Sequence, residues 1–241
     1  MAGLLYPLPL WLLWMVMIGG MGWLAWRAQS RLPWPSAIAK QQAKEFRESH
    51  SLPKDKFQKS FVIVAFILIG LITLTTFWHA LFYPETYWDS LILYLGYARM
   101  TFLEHAFPFK AEAQVGIGLG ANYPHMFPTY GAMASTLFGS WSPLPQRLIC
   151  PVAGLAATGL VYFTCLETWK SHPVAAGASL LFRAVPYGIA YSTWASDYAF
   201  AILFTAAFIY AFLLFVKTPR GGQLALFTLI PASAMHLNYL M

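Results

Sequence analysis

Charge is scarce in this sequence. Only 10% of its 241 residues are Asp, Glu, Lys or Arg, while 59% are hydrophobic. A soluble domain carries about 25% charged residues, so the composition excludes a water-soluble globule and makes lipid the main solvent. Acidic residues are the rarest charge, nine in all. Cysteine is nearly absent too. Cys150 and Cys165 fall in one expected span, about 22 Å apart along a helix, which excludes a disulfide between them. No Cys-x-x-Cys pair and no His/Cys grouping occurs, so no structural metal is expected. The formal charge of +6 does not point to nucleic acid either. Eight of the fifteen basic residues stand between Arg27 and Lys59, so the basicity is local and marks one side of a membrane.

Long uncharged runs fill most of the remainder. Residues 4–26 form a first span, with no basic residue before it and no small-residue cleavage site after it, unlike a secretory signal. Residues 27–59 read as a basic cytoplasmic linker with a short helix over 36–49, suited to contact with anionic headgroups. Further spans are expected at 61–82, 148–166, 173–193, 198–216 and 224–241. Placing the linker, Lys170, Lys217 and Arg220 inside puts eleven basic residues there and leaves only Arg99, Lys110 and Arg147 outside. The expected fold is therefore all-α and integral to the membrane, with about six transmembrane helices and both termini outside. The chain stops at Met241 with no polar flank, which reads as a truncated membrane domain.

Between the second and third spans lies a long outer loop, residues 83–146. It holds Glu85, Asp89, Glu104 and Glu112, four of the nine acids. A charged, aromatic loop in an apolar chain is the first place to look for chemistry. Residues 86–106 plotted at 100° steps put Trp88, Leu91, Leu95, Ala98 and Phe102 on one arc. Ser90, Tyr97, Thr101 and Glu104 fall on another, with Asp89 at its edge. That pattern predicts an amphipathic helix in the interface plane, with Arg99 snorkelling to headgroup level. Gly116, Gly118 and Gly120 make a hinge rather than a nucleotide loop, because no strand precedes them and no helix follows directly. A second interfacial helix is expected over residues 129–138.

Taken in order, these features resemble the GT-C superfamily of integral-membrane glycosyltransferases, and more narrowly the bacterial relatives of protein O-mannosyltransferases and aminoarabinose transferases. The resemblance is carried by Trp88-Asp89-Ser90-Leu91 after an outgoing span, an interfacial helix, and Asn122-Tyr123-Pro124. A second interfacial helix, the span RLICPVAGLAATGLVYF, and a Pro-bearing span leading to Ser196-Asp197 complete it. It covers residues 60–241; the span at 1–26 is extra, and the C-terminal part of the family fold is missing. The Tyr-His pair usual after the acidic motif stands here as Leu93-Tyr94, a departure from the pattern.

The resemblance implies transfer of a sugar, with inversion, from a polyprenyl-phosphate donor to a lipid, glycan or protein acceptor on the outer face of a bacterial inner membrane. It also implies that Asp89 is the catalytic base or helps to order the site. Such chemistry needs a carboxylate to take the acceptor proton and cations or donors at the departing phosphate. Glu85 is the alternative base. Tyr94, Arg99, Lys110, Asn122, Tyr123, His125, Arg183 and Asp197 are the candidate substrate-binding residues. Each also has a plainer reading: Asp89 and Asp197 suit helix N-termini, Asn122 and Tyr123 suit a turn before Pro124, and the cations suit headgroup or loop contacts. Arg183, in mid-span three residues before Pro186, must face protein or a water-filled cleft. No cofactor is implied; a divalent metal between Asp89 and Glu85 would lack further ligands. Two other functions compete. One is a non-catalytic scaffold subunit packing against a second membrane chain. The other is a transporter, disfavoured because the acids sit in a loop and no inverted repeat is visible.

Overall fold

The computed structural model describes residues 53, 55–105, 126–217, 226 and 229–230. All elements among them are helical. Helix α1 is Lys56–Phe82; a π-helical turn, Ser90–Gly96, runs into α2, Tyr97–Glu104. Then come α3 (Met126–Phe138), α4 (Leu144–Trp169), α5 (His172–Ala184), α6 (Pro186–Thr193) and α7 (Tyr198–Lys217). The expected spans at 4–26 and 224–241 and the basic linker fall almost wholly outside the described residues.

Three helices, α1, α4 and α7, are long and apolar enough to cross a membrane, and α5 with α6 forms a fourth candidate broken by a 64° bend. Helix α1 starts five residues before its apolar run because Asp55 caps it, accepting from the Phe57 and Gln58 N–H groups at 3.4 Å. It ends at Tyr83, which is extended as the residue before Pro84 must be. Its buried residues, Val62, Ala65, Ile69, Thr73, Thr76 and Ala80, recur every three or four positions and form one stripe against α4, α5 and α6. The opposite face, including Val64, Leu68, Leu71 and Leu74, stands exposed, as a lipid-facing surface requires. Helix α4 is central, touching all the other spans. Small residues at Cys150, Ala153, Gly154, Ala157 and Thr158 line its buried side and let neighbouring backbones approach closely.

The contacts fix the sense of the spans. Arg147 at the start of α4 donates to the His79 and Tyr83 carbonyls at the end of α1, so these two helices are antiparallel. At the opposite end Glu167 of α4 pairs with Lys170 at 2.7 Å and with Lys217 of α7 at 3.1 Å, so α4 and α7 run in parallel. The α5–α6 break follows from Pro186: Val185 is forced into an extended conformation, and the helix restarts at the proline.

One expected pattern is corrected. Uniform 100° steps grouped Trp88 and Leu91 with Leu95 and Ala98, but the π-helical turn inserts an extra residue and rotates the phase. Trp88 and Leu91 are exposed, whereas Ser90, Leu93, Tyr94, Leu95, Tyr97 and Ala98 are buried. Ser90 and Tyr97, expected on the polar arc, therefore face protein. Helix α3 takes the place of the expected helix over 129–138 and begins three residues earlier.

Candidate active site

One end of the bundle collects the end of α1, the start of α4 and the joint between α6 and α7. The segment from Tyr83 into the π-helical turn crosses this end and is tied to the joint at three points. Glu85, half-buried, accepts from the Tyr87 N–H at 3.3 Å and from the Ala195 N–H at 3.0 Å, bridging residues 110 apart in sequence. The Tyr87 ring stacks on Trp194, centroids 4.1 Å apart and planes 7° from parallel. The Tyr94 hydroxyl donates to Oδ1 of Asp197.

Asp89 sits at the beginning of the π-helical turn, half-buried, and accepts a 2.8 Å hydrogen bond from the Tyr87 hydroxyl. Its other oxygen has no hydrogen-bond partner among the described residues. Asp197, only 1% exposed, precedes α7. Burial pushes its carboxyl up to about 6, Asp89's negative charge adds to that, and the Tyr94 hydrogen bond opposes it. The Tyr94 and Tyr87 phenols are both held well above their ordinary value, first by burial and then by the carboxylates they donate to. Beside these groups Tyr191 meets Trp194 edge-on at 5.8 Å and Tyr198 at 4.9 Å. Three carboxylates and a run of aromatic faces thus occupy one end of the bundle, a combination suited to holding a hydroxylated ligand and accepting a proton from it.

Arg183 lies further into the bundle. Cys150 of α4 contacts the Ser196 carbonyl at the joint, and one turn along the same helix, about 6 Å deeper, Gly154 faces Arg183 and Ser192. Arg183 is 2% exposed, and its guanidinium donates to the hydroxyls of Ser192 at 2.7 Å and Thr76 at 2.8 Å. It lines a cavity with room for a water molecule, formed with Gly154, Gly188, Ser192, Ala199 and Ile202. Among the described residues it has no carboxylate partner, and its Nε has no acceptor.

Of the expected site residues, Glu85, Asp89, Tyr94 and Asp197 come together. Arg183 lies beneath them, and Arg99 is exposed on α2 with no ion pair among the described residues. Lys110, Asn122, Tyr123 and His125 lie outside the described residues, as do Gly116, Gly118 and Gly120. Sequence reasoning missed Tyr87, Trp194 and Tyr191, because aromatic residues are common throughout the chain and nothing local marks these three. No three His, Cys, Asp or Glu side chains converge as metal ligands among the described residues. No protein-family model, curated protein or solved structure matches the chain.

Proposed function

We propose that this chain is a membrane glycosyltransferase of the GT-C kind, or the N-terminal part of one, moving a sugar from a polyprenyl-phosphate donor to an acceptor on the outer face. In this reading six spans cross a bacterial inner membrane, the helices at Ser90–Glu104 and Met126–Phe138 lie near its outer interface, and the basic linker lies in the cytoplasm. The observation that carries the reading is the meeting of Glu85, Asp89, Asp197 and their aromatic neighbours at one end of an apolar bundle, with an arginine about a turn below that has no carboxylate partner among the described residues.

Asp89 is the base. Its free oxygen takes the proton of the acceptor hydroxyl as that oxygen attacks the anomeric carbon from the side opposite the donor oxygen. The bond from that carbon to the phosphate oxygen breaks, and polyprenyl phosphate leaves with the electron pair and one more negative charge. Arg183 answers that charge from the cleft at the α5–α6 bend, where low dielectric strengthens the attraction.

The test is transfer by membranes containing the native chain, supplied with mixed polyprenyl-phosphate sugars and lipid or peptide acceptors, against membranes without it. Transfer that depends on the chain supports the enzyme. Its absence with the chain stably folded supports a scaffold that works with a second membrane protein.

Arg183 gives a separate prediction. Thr76 and Ser192 keep intrahelical acceptors, the Thr73 carbonyl at 2.7 Å and the Gly188 carbonyl at 2.6 Å, so removing the cation orphans neither hydroxyl. Arg183→Met should therefore retain the native melting temperature in detergent or exceed it, while kcat/KM for the phosphate-bearing donor falls about tenfold or more. A melting temperature many degrees lower with unchanged kcat/KM would make Arg183 a structural tie instead.

A further inference from the structure

We infer that Tyr94 and Asp197 are positioning residues for Asp89: their buried hydrogen bond pins the π-helical turn that follows Asp89 to the start of α7, and its hold changes with the proton on Asp197. The role given to Asp89 rests on the glycosyl-transfer reading; the latch does not.

The geometry is specific. Tyr94 sits mid-way along Ser90–Gly96 and Asp197 immediately before α7, 103 residues away, and each side chain is 1% exposed. Tyr94 is also held edge-on by Phe127 of α3, centroids 5.6 Å apart. A π-helical turn is rare and persists where tertiary contacts stabilise it. Here the extra residue brings Ser90, Leu93, Tyr94 and Leu95 together on the protein side and sets the direction in which Asp89, about one turn earlier, presents its carboxylate. Among the described residues, the groups around Asp197 and its Tyr94 partner are the charge of Asp89, the thiol of Cys150 on α4, Tyr198 on α7, which acts on Tyr94, and Glu85, which reaches the neighbouring Ala195 N–H. No lysine or arginine forms an ion pair with it among the described residues.

Burial raises Asp197 from 3.8 to about 6, so the docked turn binds a proton more tightly than an undocked, hydrated one would. Docking is then favoured most in acid, below the ordinary aspartate range, and that advantage is lost as pH rises through about 6. The turn is held firmly in acid and released more readily at neutral pH, when Asp197 is ionised and its buried charge is supported by the Tyr94 hydroxyl and its own backbone N–H, with no cation paired to it among the described residues.

Two measurements on the full chain in nanodiscs test this without reference to catalysis. The first is an infrared titration of the protonated carboxyl stretch. The native band should titrate near pH 6, vanish in Asp197→Asn, and move to lower pH both in Tyr94→Phe, where the undocked turn leaves Asp197 hydrated, and in Asp89→Asn, where a neighbouring negative charge is gone. The second is the distance between spin labels at Trp88→Cys and Val216→Cys, positions that are 69% and 61% exposed while both native cysteines are buried. The distribution should be narrow at pH 5 and broader at pH 8 in the otherwise native chain, and broad at both in Tyr94→Phe. If Asp197→Asn does not fold, the shifts in the other two variants still decide. A native titration at the ordinary aspartate pH, or a Tyr94→Phe variant matching the native chain in both measurements, would overturn the inference. Both signatures present without transfer in any form would overturn the enzyme reading and leave the latch standing.

Discussion

Replacing Asp89 with asparagine is expected to lower glycosyl transfer by about 10²–10⁴-fold while the chain still folds, the range set by removing a general base. The geometry separates the two effects. Asparagine keeps an oxygen that can accept the 2.8 Å bond from the Tyr87 hydroxyl, so the stack of Tyr87 on Trp194 survives. Asp89 is half-buried and has no ion-pair partner among the described residues, so neutralising it breaks no bridge. What disappears is the oxygen able to take a proton. Glu85→Gln provides the contrast. Glu85 already spends both oxygens on backbone donors, at Tyr87 and Ala195, and cannot reach for a substrate proton without releasing the joint. Glutamine loses one of those acceptors, so that variant should cost stability, by about 1–3 kcal/mol, with a smaller loss of kcat. The measurement is initial transfer rate per folded chain, with expression matched by size-exclusion fluorescence. Equal rates for the native chain and Asp89→Asn would remove Asp89 as the base. A larger kcat loss in Glu85→Gln than in Asp89→Asn would exchange their roles.

Three of the expected spans were legible as long apolar helices: lipid demands uncharged runs of about 20 residues, and three such runs became α1, α4 and α7, each long and apolar enough to cross a membrane. Their ends were less legible. Hydropathy reports depth in lipid, whereas helix length is set by caps, so α1 extends through the charged turn that Asp55 initiates. Pro186 marked the kink in the sequence, but a proline does not say how far the two halves swing apart. The helix through the π-helical turn and α2 was half legible: its existence followed from the spacing of apolar residues, while its buried face did not, since a π-helical turn leaves no periodic trace. The site divided in the same way. Asp89 and Glu85 stood out as rare acids in one loop. Asp197 looked like a helix-start charge, and its bond to Tyr94 depends on how α4, α6 and α7 pack, which no local pattern encodes. Arg183 was visible as an anomaly in mid-span, but its two hydroxyl partners come from α1 and α6, and neither threonine nor serine is unusual in a membrane helix.

The packing around Arg183 leads to the largest expected effect on stability. Gly154→Ala should destabilise the protein by about 1–3 kcal/mol or more, in the range of overpacked interiors. A Cβ at Gly154 would stand 2.2 Å from the Ser192 Oγ, 2.8 Å from an Arg183 Nη1 and 3.1 Å from the Ser192 Cβ. None of these neighbours yields easily. Ser192 is tied to the Gly188 carbonyl and to Arg183, and Arg183 is tied in turn to Thr76 on α1, so relief at one contact must move α1, α5 and α6 together. Ser192→Ala removes the nearest atom and unties the Arg183 Nη1 that donates to it, so the guanidinium can shift out of its 2.8 Å approach toward the vacated space, and the remaining 3.1 Å approach to the Ser192 Cβ needs only a small shift. The double variant should therefore melt well above Gly154→Ala alone, although each substitution by itself removes or crowds a native contact. That non-additivity, measured by thermal unfolding in detergent, is the signature of a shared steric conflict. Gly159 lies on the same helix with open space where its Cβ would be, so Gly159→Ala should be neutral or slightly stabilising and serves as the control for generic effects on α4. Additive losses in the double variant would mean that α4 and α6 do not approach each other this closely, and that Arg183 is not held in the cleft between them.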